Sequence, residues 1–368
     1  MNKRKKWVSV LAGVMAAILL LSLTACGGQE PEPEIPETTT TTEPTTTTTT
    51  EPPLPQNPLT GVRDMETDNN RPVAFAVPDE TADIVQVGIE HADMYFETET
   101  EAGIPRLLAI FSSADRLPDR VGPVRSARPH FIKFINALDA IYCHIGGSGD
   151  AREAIRNQNI HDIESAYVTD DILTNSDNYS WNRKAFTKDK VMTVIDRCDY
   201  PTTTDTVAPY AFGEKKGDIS AVKLDVKIST TYNIGFSYDK KSGLYRKHRV
   251  TMRGDGLAMD VHKTGTGGTV AVKNVIIMYD DRSVLDYKNG GAYHIDFALK
   301  QGSGLLAVNG TARDITWKRT DDQLTFYEAD GTTPLTVAEG KTFVCLMDEN
   351  LKNKNKIIGE ETDATTTE

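Results

Sequence analysis

Cysteine is scarce in this 368-residue chain: there are four, and no two stand in Cys-x-x-Cys spacing. That excludes a disulfide scaffold and disfavours structural zinc. Positive charge is also short, with 41 Lys+Arg against 53 Asp+Glu and a net charge of −12. An acidic chain is poorly suited to a phosphate backbone, so nucleic acid is not expected as a partner. No succession of long apolar runs is present, which excludes a multi-span membrane protein. Internal repeats are absent too. What is present is a 39% hydrophobic composition, enough for a core and, at this length, for two domains.

The familiar nucleotide and catalytic signatures fail one by one. Gly340-Lys341-Thr342 ends like a P-loop, but Leu335 stands where its first glycine belongs. Gly302-Ser303-Gly304-Leu305-Leu306-Ala307 has dinucleotide spacing, yet Asn309-Gly310 follows as a turn with no helix to hold a pyrophosphate. A β-bulge or tight turn is expected there. Gly146-Gly147-Ser148-Gly149 misses the closing glycine of a nucleophile elbow at Asp150. The seven His form no His-x-x-x-His pair, so no metal or cofactor is expected. Cys143 and Cys345, inside apolar stretches, read as buried thiols.

The amino terminus is more explicit. Lys3 to Lys6 are basic, Trp7 to Leu23 are apolar, and Leu23-Thr24-Ala25-Cys26 follows. This is a secretory signal ending like a lipobox, with Cys26 as the lipidated first mature residue. Two acyl chains on a diacylglyceryl group suffice for stable anchoring. Residues 1–25 are then a lipoprotein signal peptide, and the expected location is the outer face of a bacterial cell membrane. Residues 26–56 are Thr, Pro and Glu with nothing to bury, the composition of a disordered tether.

Residues 57–200 alternate predicted strands (72–77, 94–99, 107–112, 140–145) with predicted helices (129–138, 150–158, and 187–196 capped by Thr187). This is the pattern of an α/β domain with a mixed sheet. Residues 201–220 read as a linker. Residues 221–350 read as a β-rich domain, with turns at Asp239–Gly243 and Asp330-Gly331, and 351–368 as a polar tail. The expected class is α+β.

Three stretches carry chemistry. Glu97, Glu99 and Glu101 alternate and would share one strand face, about 6.8 Å between next-nearest neighbours, a separation suited to paired carboxylates. Arg106 lies just beyond and is placed to pair with Glu101. Gly122-Pro123-Val124-Arg125-Ser126-Ala127-Arg128-Pro129 leads into a helix. Ser126 is the expected N-cap, with Arg128 before Pro129 as the competing boundary. Arg125 and Arg128 there suit a carboxylate or phosphate. His144-Ile145-Gly146-Gly147-Ser148-Gly149-Asp150 joins strand to helix, with Asp150 as a cap, Gly146, Gly147 and Ser148 shaping a loop, and His144 as an acid/base candidate. Trp181 is an aromatic in a loop.

In order along the chain, Asn57–Gly61, Arg71–Ala74, Ala92-Asp93, Glu97, Arg106, Gly122–Arg128 and His144–Ser148 resemble the YerB-type bacterial lipoproteins, domain of unknown function 3048. Gly302-x-Gly304, Trp317-Lys318, Asp330-Gly331 and Gly340–Thr342 resemble that family's carboxy-terminal domain. Pro78-Asp79-Glu80 departs from the Asp-Asn usual in such proteins. The resemblance implies a two-domain envelope lipoprotein and no established reaction. Together these features lead to an expected scaffold or binder for an anionic envelope component: a wall peptide, a glycopolymer or an envelope protein. The alternative is a hydrolase acting on envelope glycan through Glu97/Glu101 or His144.

Overall fold

The computed structural model describes residues 53–80, 84–164, 173–175, 184–252, 260–285, 293–320 and 323–360. The signal peptide, Cys26, the tether through residue 52 and Trp181 lie outside them. The described residues belong to one compact unit, Pro52–Glu368.

One mixed sheet of eleven strands organises that unit. From edge to edge run Ile219–Ser220, Thr311–Arg319, Gln301–Val308, Asn274–Asp280, Thr342–Asp348, Met94–Glu99, Pro105–Phe111, Val73–Pro78, Ile141–His144 and Asp162–Glu164, with Leu324–Glu328 also paired to Thr311–Arg319. Thr342–Asp348 is the join. It lies between Asn274–Asp280 and Met94–Glu99, parallel to both, so the sheet is continuous across the amino- and carboxy-terminal halves.

Burial on both faces explains why the central strands are almost uniformly apolar, since side chains of period two alternate between two cores. Tyr95, Ile277, Phe343 and Cys345 enter one core. Phe96, Ile276, Val344 and Leu346 enter the other. A five-stranded sheet ordered Ala271–Val272, Leu244–Met252, Tyr232–Asp239, Lys223–Val226, Lys356–Ile358 contributes to the first core. There Phe343 meets Tyr95 and Phe236 at ring-centroid distances of 5.3 and 5.0 Å. The second core is closed by the helix Pro129–Asn136, whose Phe134 stacks on Phe96 at 3.9 Å. Each buried aromatic contributes about 1.5–3 kcal/mol.

Among the described residues strand dominates, at 43% against 16% helix. The three helices expected over 57–200 are present, but the molecule is more β-rich than the expected α+β split, with both halves sharing one mixed sheet. Only Pro129–Asn136, Gly149–Asn157 and Lys188–Arg197 are α-helices among the described residues. The segment after Tyr200 carries two short strands, Ala211–Phe212 and Ile219–Ser220, and its Thr202 carbonyl accepts from the Arg71 N–H. Lys356–Ile358, near the carboxy terminus, is an edge strand against Lys223–Asp225.

Two local expectations change. Gly302 and Gly304 form neither bulge nor turn but sit in regular register within Gln301–Val308. They are glycine because Trp317 and the Tyr279 carbonyl crowd one and the Ile277 carbonyl the other; an added Cβ on Gly304 would lie 2.5 Å from that carbonyl oxygen. The Thr187 cap is also plainer than expected: Thr187 precedes Lys188–Arg197 without a side-chain hydrogen bond.

Candidate functional site

The parallel strands Val73–Pro78 and Ile141–His144 are hydrogen-bonded neighbours up to the Phe75–Cys143 pair. Beyond it the arginine-bearing stretch Gly122–Pro129 is inserted between them. Arg125 N–H donates to the Ala76 carbonyl at 2.7 Å, and Ile145 N–H donates to the Arg125 carbonyl at 3.0 Å. Ala127 N–H then donates to the Gly146 carbonyl at 3.0 Å. Carboxyl ends of parallel strands are where α/β sheets commonly bind ligands. Gly146 adopts a positive φ of 71° at this crossing, a conformation that favours glycine.

The insertion gathers three guanidinium groups. Arg128 Nε donates to Glu101 Oε2 at 2.7 Å, and its Nη2 contacts Glu101 Oε1. Arg106 Nη2 is 3.8 Å from the same carboxylate, as the sequence suggested, and its Nη1 donates to the Ser126 carbonyl at 3.1 Å. Arg125 Nη2 donates to Glu80 Oε1 at 3.1 Å. Three positive charges thus face two negative ones. Burial opposes ionisation of Glu101, but its hydrogen bonds to Arg128, and the charges of Arg128 and Arg106, bring its pKa down to about 2. Burial, reinforced by Arg128, lowers Arg106 to about 10.

Two donors in this group lack an acceptor. Arg106 Nε and the Tyr142 hydroxyl are buried and make no hydrogen bond among the described residues. Burial raises the Tyr142 phenol far above its ordinary range, partly offset by Arg106 and Arg128. Ser126, Gly146 and Gly147 are half-buried, and Ser148 is buried.

Several sequence expectations are corrected here. Ser126 does not cap the helix. Arg128 occupies that position with Pro129 at the first helical residue, and no side chain closes the cap. At the next helix Ser148, not Asp150, is the cap, its Oγ accepting from Ala151 N–H at 3.2 Å. Glu101 does not share a strand face with Glu97 and Glu99. The strand ends at Glu99, and Ala102 and Gly103 turn the chain with positive φ. The three glutamates consequently meet different cations: Lys247 at 3.4 Å from Glu97, Arg282 at 2.8 Å from Glu99, and Arg128 at Glu101.

His144 is fully buried, with its ring 4.8 Å from that of Tyr142. Its Nδ1–H donates to the Gly146 carbonyl at 2.8 Å, and Nε2 is 3.1 Å from Asp162 Oδ2. His144, Asp162 and Glu164 bring ligand atoms within 4.8 Å of one another. Glu164 is already paired with Arg152 at 2.9 Å.

A second cluster escaped the sequence reading. Lys247, fully buried, contacts Asp79 Oδ2, lies 3.4 Å from Glu97 Oε2 and 3.4 Å from His262 Nδ1. His262 Nε2 in turn contacts Gln86 Oε1. Gln86 Nε2 donates to the Pro78 carbonyl at 2.7 Å and to Asp79 Oδ1 at 3.1 Å. Nothing in the Arg246–Val250 run marks Lys247 as internal. Its partner Asp79 is 168 residues away.

The chain belongs to the family described as Protein of unknown function (DUF3048): the family's N-terminal domain matches residues 59–199 and its C-terminal domain residues 224–344. It is similar to YerB of Bacillus subtilis (strain 168), a protein provisionally named as a lipoprotein. The two are 25% identical over 327 residues, covering 87% of this chain and 89% of YerB. The crystal structure of the YerB protein from Bacillus subtilis matches with a TM-score of 0.70 at 24% identity, over 82% of this chain and 99% of the other. That structural match supports the fold. Among the described residues, no helix is long and apolar enough to cross a membrane.

Proposed function

We propose that this chain is an extracytoplasmic lipoprotein, anchored through Cys26 to the outer face of the bacterial cell membrane, that binds an anionic component of the cell envelope. Similarity to a protein named as a lipoprotein supports the anchor, together with the Leu-Thr-Ala-Cys ending of the apolar leader. The observation that carries the ligand class is the arginine cluster. Arg106, Arg125 and Arg128 gather around Glu80 and Glu101, and Arg106 Nε and the Tyr142 hydroxyl have no acceptor among the described residues. Buried donors without acceptors are energetically costly, and an anionic oxygen satisfies them. Half-buried Ser126, Gly146 and Gly147 form the rim such a group would approach. The ligand then has the chemistry of a glycopolymer phosphate or a wall-peptide carboxylate.

A hydrolytic role gains no support from this arrangement. Glu97 is sealed beneath Lys247, and a Glu101 held near pKa 2 has no proton to give a leaving group.

Calorimetric titration of the full chain with poly(glycerol phosphate), and separately with a wall disaccharide-peptide, tests the proposal. Saturable binding of one probe, weakened at least about tenfold in Arg125→Ala/Arg128→Ala, is the expected result. Equal affinity of the two proteins rejects the site.

A further inference from the structure

The sealed cluster contains the components of a different chemistry. A lysine amine, an aspartate carboxyl and a glutamate meet inside the protein, all close to zero exposure, with the ring of Phe343 5.8 Å from Lys247 Nζ. We propose that Lys247 and Asp79 condense after folding into an intramolecular isopeptide bond, with Glu97 as the proton carrier. This modification is independent of any ligand at the arginine cluster.

The geometry supplies each part. Lys247 Nζ is in contact with the Asp79 carboxyl, and water is excluded from both. Gln86 Nε2 donates to Asp79 Oδ1, the oxygen that becomes the amide carbonyl, and is placed to hold the negative charge developing there. Neither oxygen of Glu97 makes a hydrogen bond of good geometry, and Oε2 lies 3.4 Å from Lys247 Nζ. Burial raises the Glu97 pKa well above the ordinary carboxyl range, with Asp79 adding to the rise and Lys247 opposing it, so Glu97 retains a proton to transfer. His262, kept neutral by burial with its pKa down at about 4, faces the amine through Nδ1. Burial opposes the charge on Asp79 and on Lys247, but their mutual attraction wins, holding Asp79 down at about 2 and Lys247 above its ordinary value, so the neutral pair that reacts is the minor form and its formation is the slow part of the step.

The step balances without an outside reagent. The ammonium of Lys247 yields a proton to the carboxylate of Asp79, leaving a free amine and a neutral acid. The amine lone pair attacks Asp79 Cγ, forming the C–N bond. Glu97 delivers its proton to the departing hydroxyl and recovers one from the nitrogen. One water leaves, and Glu97 ends as it began.

Such a bond would join the segment matched by the N-terminal family domain to that matched by the C-terminal one. Peptide mapping of the denatured full chain after trypsin decides the matter. The expected product is a branched peptide carrying both Asp79 and Lys247, one water lighter than its two arms, with no cleavage after Lys247. Recovery of the two residues only in separate linear peptides overturns the proposal. Lys247→Arg preserves the charge without a primary amine, and should abolish the branched peptide. Glu97→Gln should reduce its yield about tenfold or more. A branched peptide that persists undiminished in Glu97→Gln refutes the part given to Glu97. The wild-type map stands whatever the folding of either variant.

Discussion

The molecule holds two ionic clusters on opposite terms with water. The cluster around Lys247 is dry: Asp79, Gln86, Glu97, Lys247 and His262 are each buried and contact one another, with Gln86 also donating to the Pro78 carbonyl. The cluster around Arg128 reaches the surface. Glu101 retains 23% side-chain exposure and Arg125 the same fraction. Composition differs as well: three guanidinium groups gather around Glu80 and Glu101, whereas the dry cluster sets one lysine against Asp79 and Glu97. A closed cluster fixes the halves of a fold to each other. An open one with gathered guanidinium groups and unused donors is suited to an outside partner.

The largest effect that would sharpen this contrast is expected inside the dry cluster. Lys247→Met leaves Asp79 as an uncompensated buried carboxylate and should destabilise the protein by about 3–5 kcal/mol in chemical denaturation. Removing both partners, in Asp79→Ala/Lys247→Met, should restore part of that loss. If the single variant is as stable as wild type, the cluster does not hold the halves together.

At the open cluster, Arg128→Ala should be milder, about 2 kcal/mol, because Arg106 and solvent still reach Glu101. The same change should raise the Glu101 pKa from about 2 toward the ordinary carboxyl value. Carboxyl titration by NMR reads it directly. For wild type, Glu101 contributes stability above its unfolded pKa of about 4.5, and that contribution is lost as pH falls toward 2.

Glu99 provides a smaller contrast of opposite sign. Burial raises its pKa from 4.5 to about 7 despite Arg282. The folded state therefore binds the proton more tightly, so stability declines as pH rises from about 4.5 through 7. Glu99→Gln should flatten that part of the stability–pH curve, a change of about 1–2 kcal/mol by urea denaturation at several pH values. An unchanged slope would show that Glu99 titrates normally.

Much of the strand pattern was legible, because alternation such as Ile234, Phe236, Tyr238 reports a pleated strand directly. Burial of Cys143 and Cys345 was legible for the same reason. The Glu101–Arg106 pairing could be read from proximity in the chain. Other features depend on distant neighbours. Glu101 leaves the strand because Ala102 and Gly103 turn the backbone, and Gly304 lies flat in a strand because the Ile277 carbonyl approaches it. Lys247 looks like a surface lysine until Asp79 and Glu97 are brought to it by strands from the other half. Local periodicity carries no record of such a meeting.

The claim that the arginine cluster awaits an anion is tested most directly at the Tyr142 hydroxyl, a buried donor with no acceptor among the described residues. The measurement is the affinity of Tyr142→Phe for poly(glycerol phosphate), by the same calorimetry as wild type. Loss of that hydroxyl should weaken binding about tenfold while thermal stability is retained or improved. An affinity equal to wild type would contradict the account.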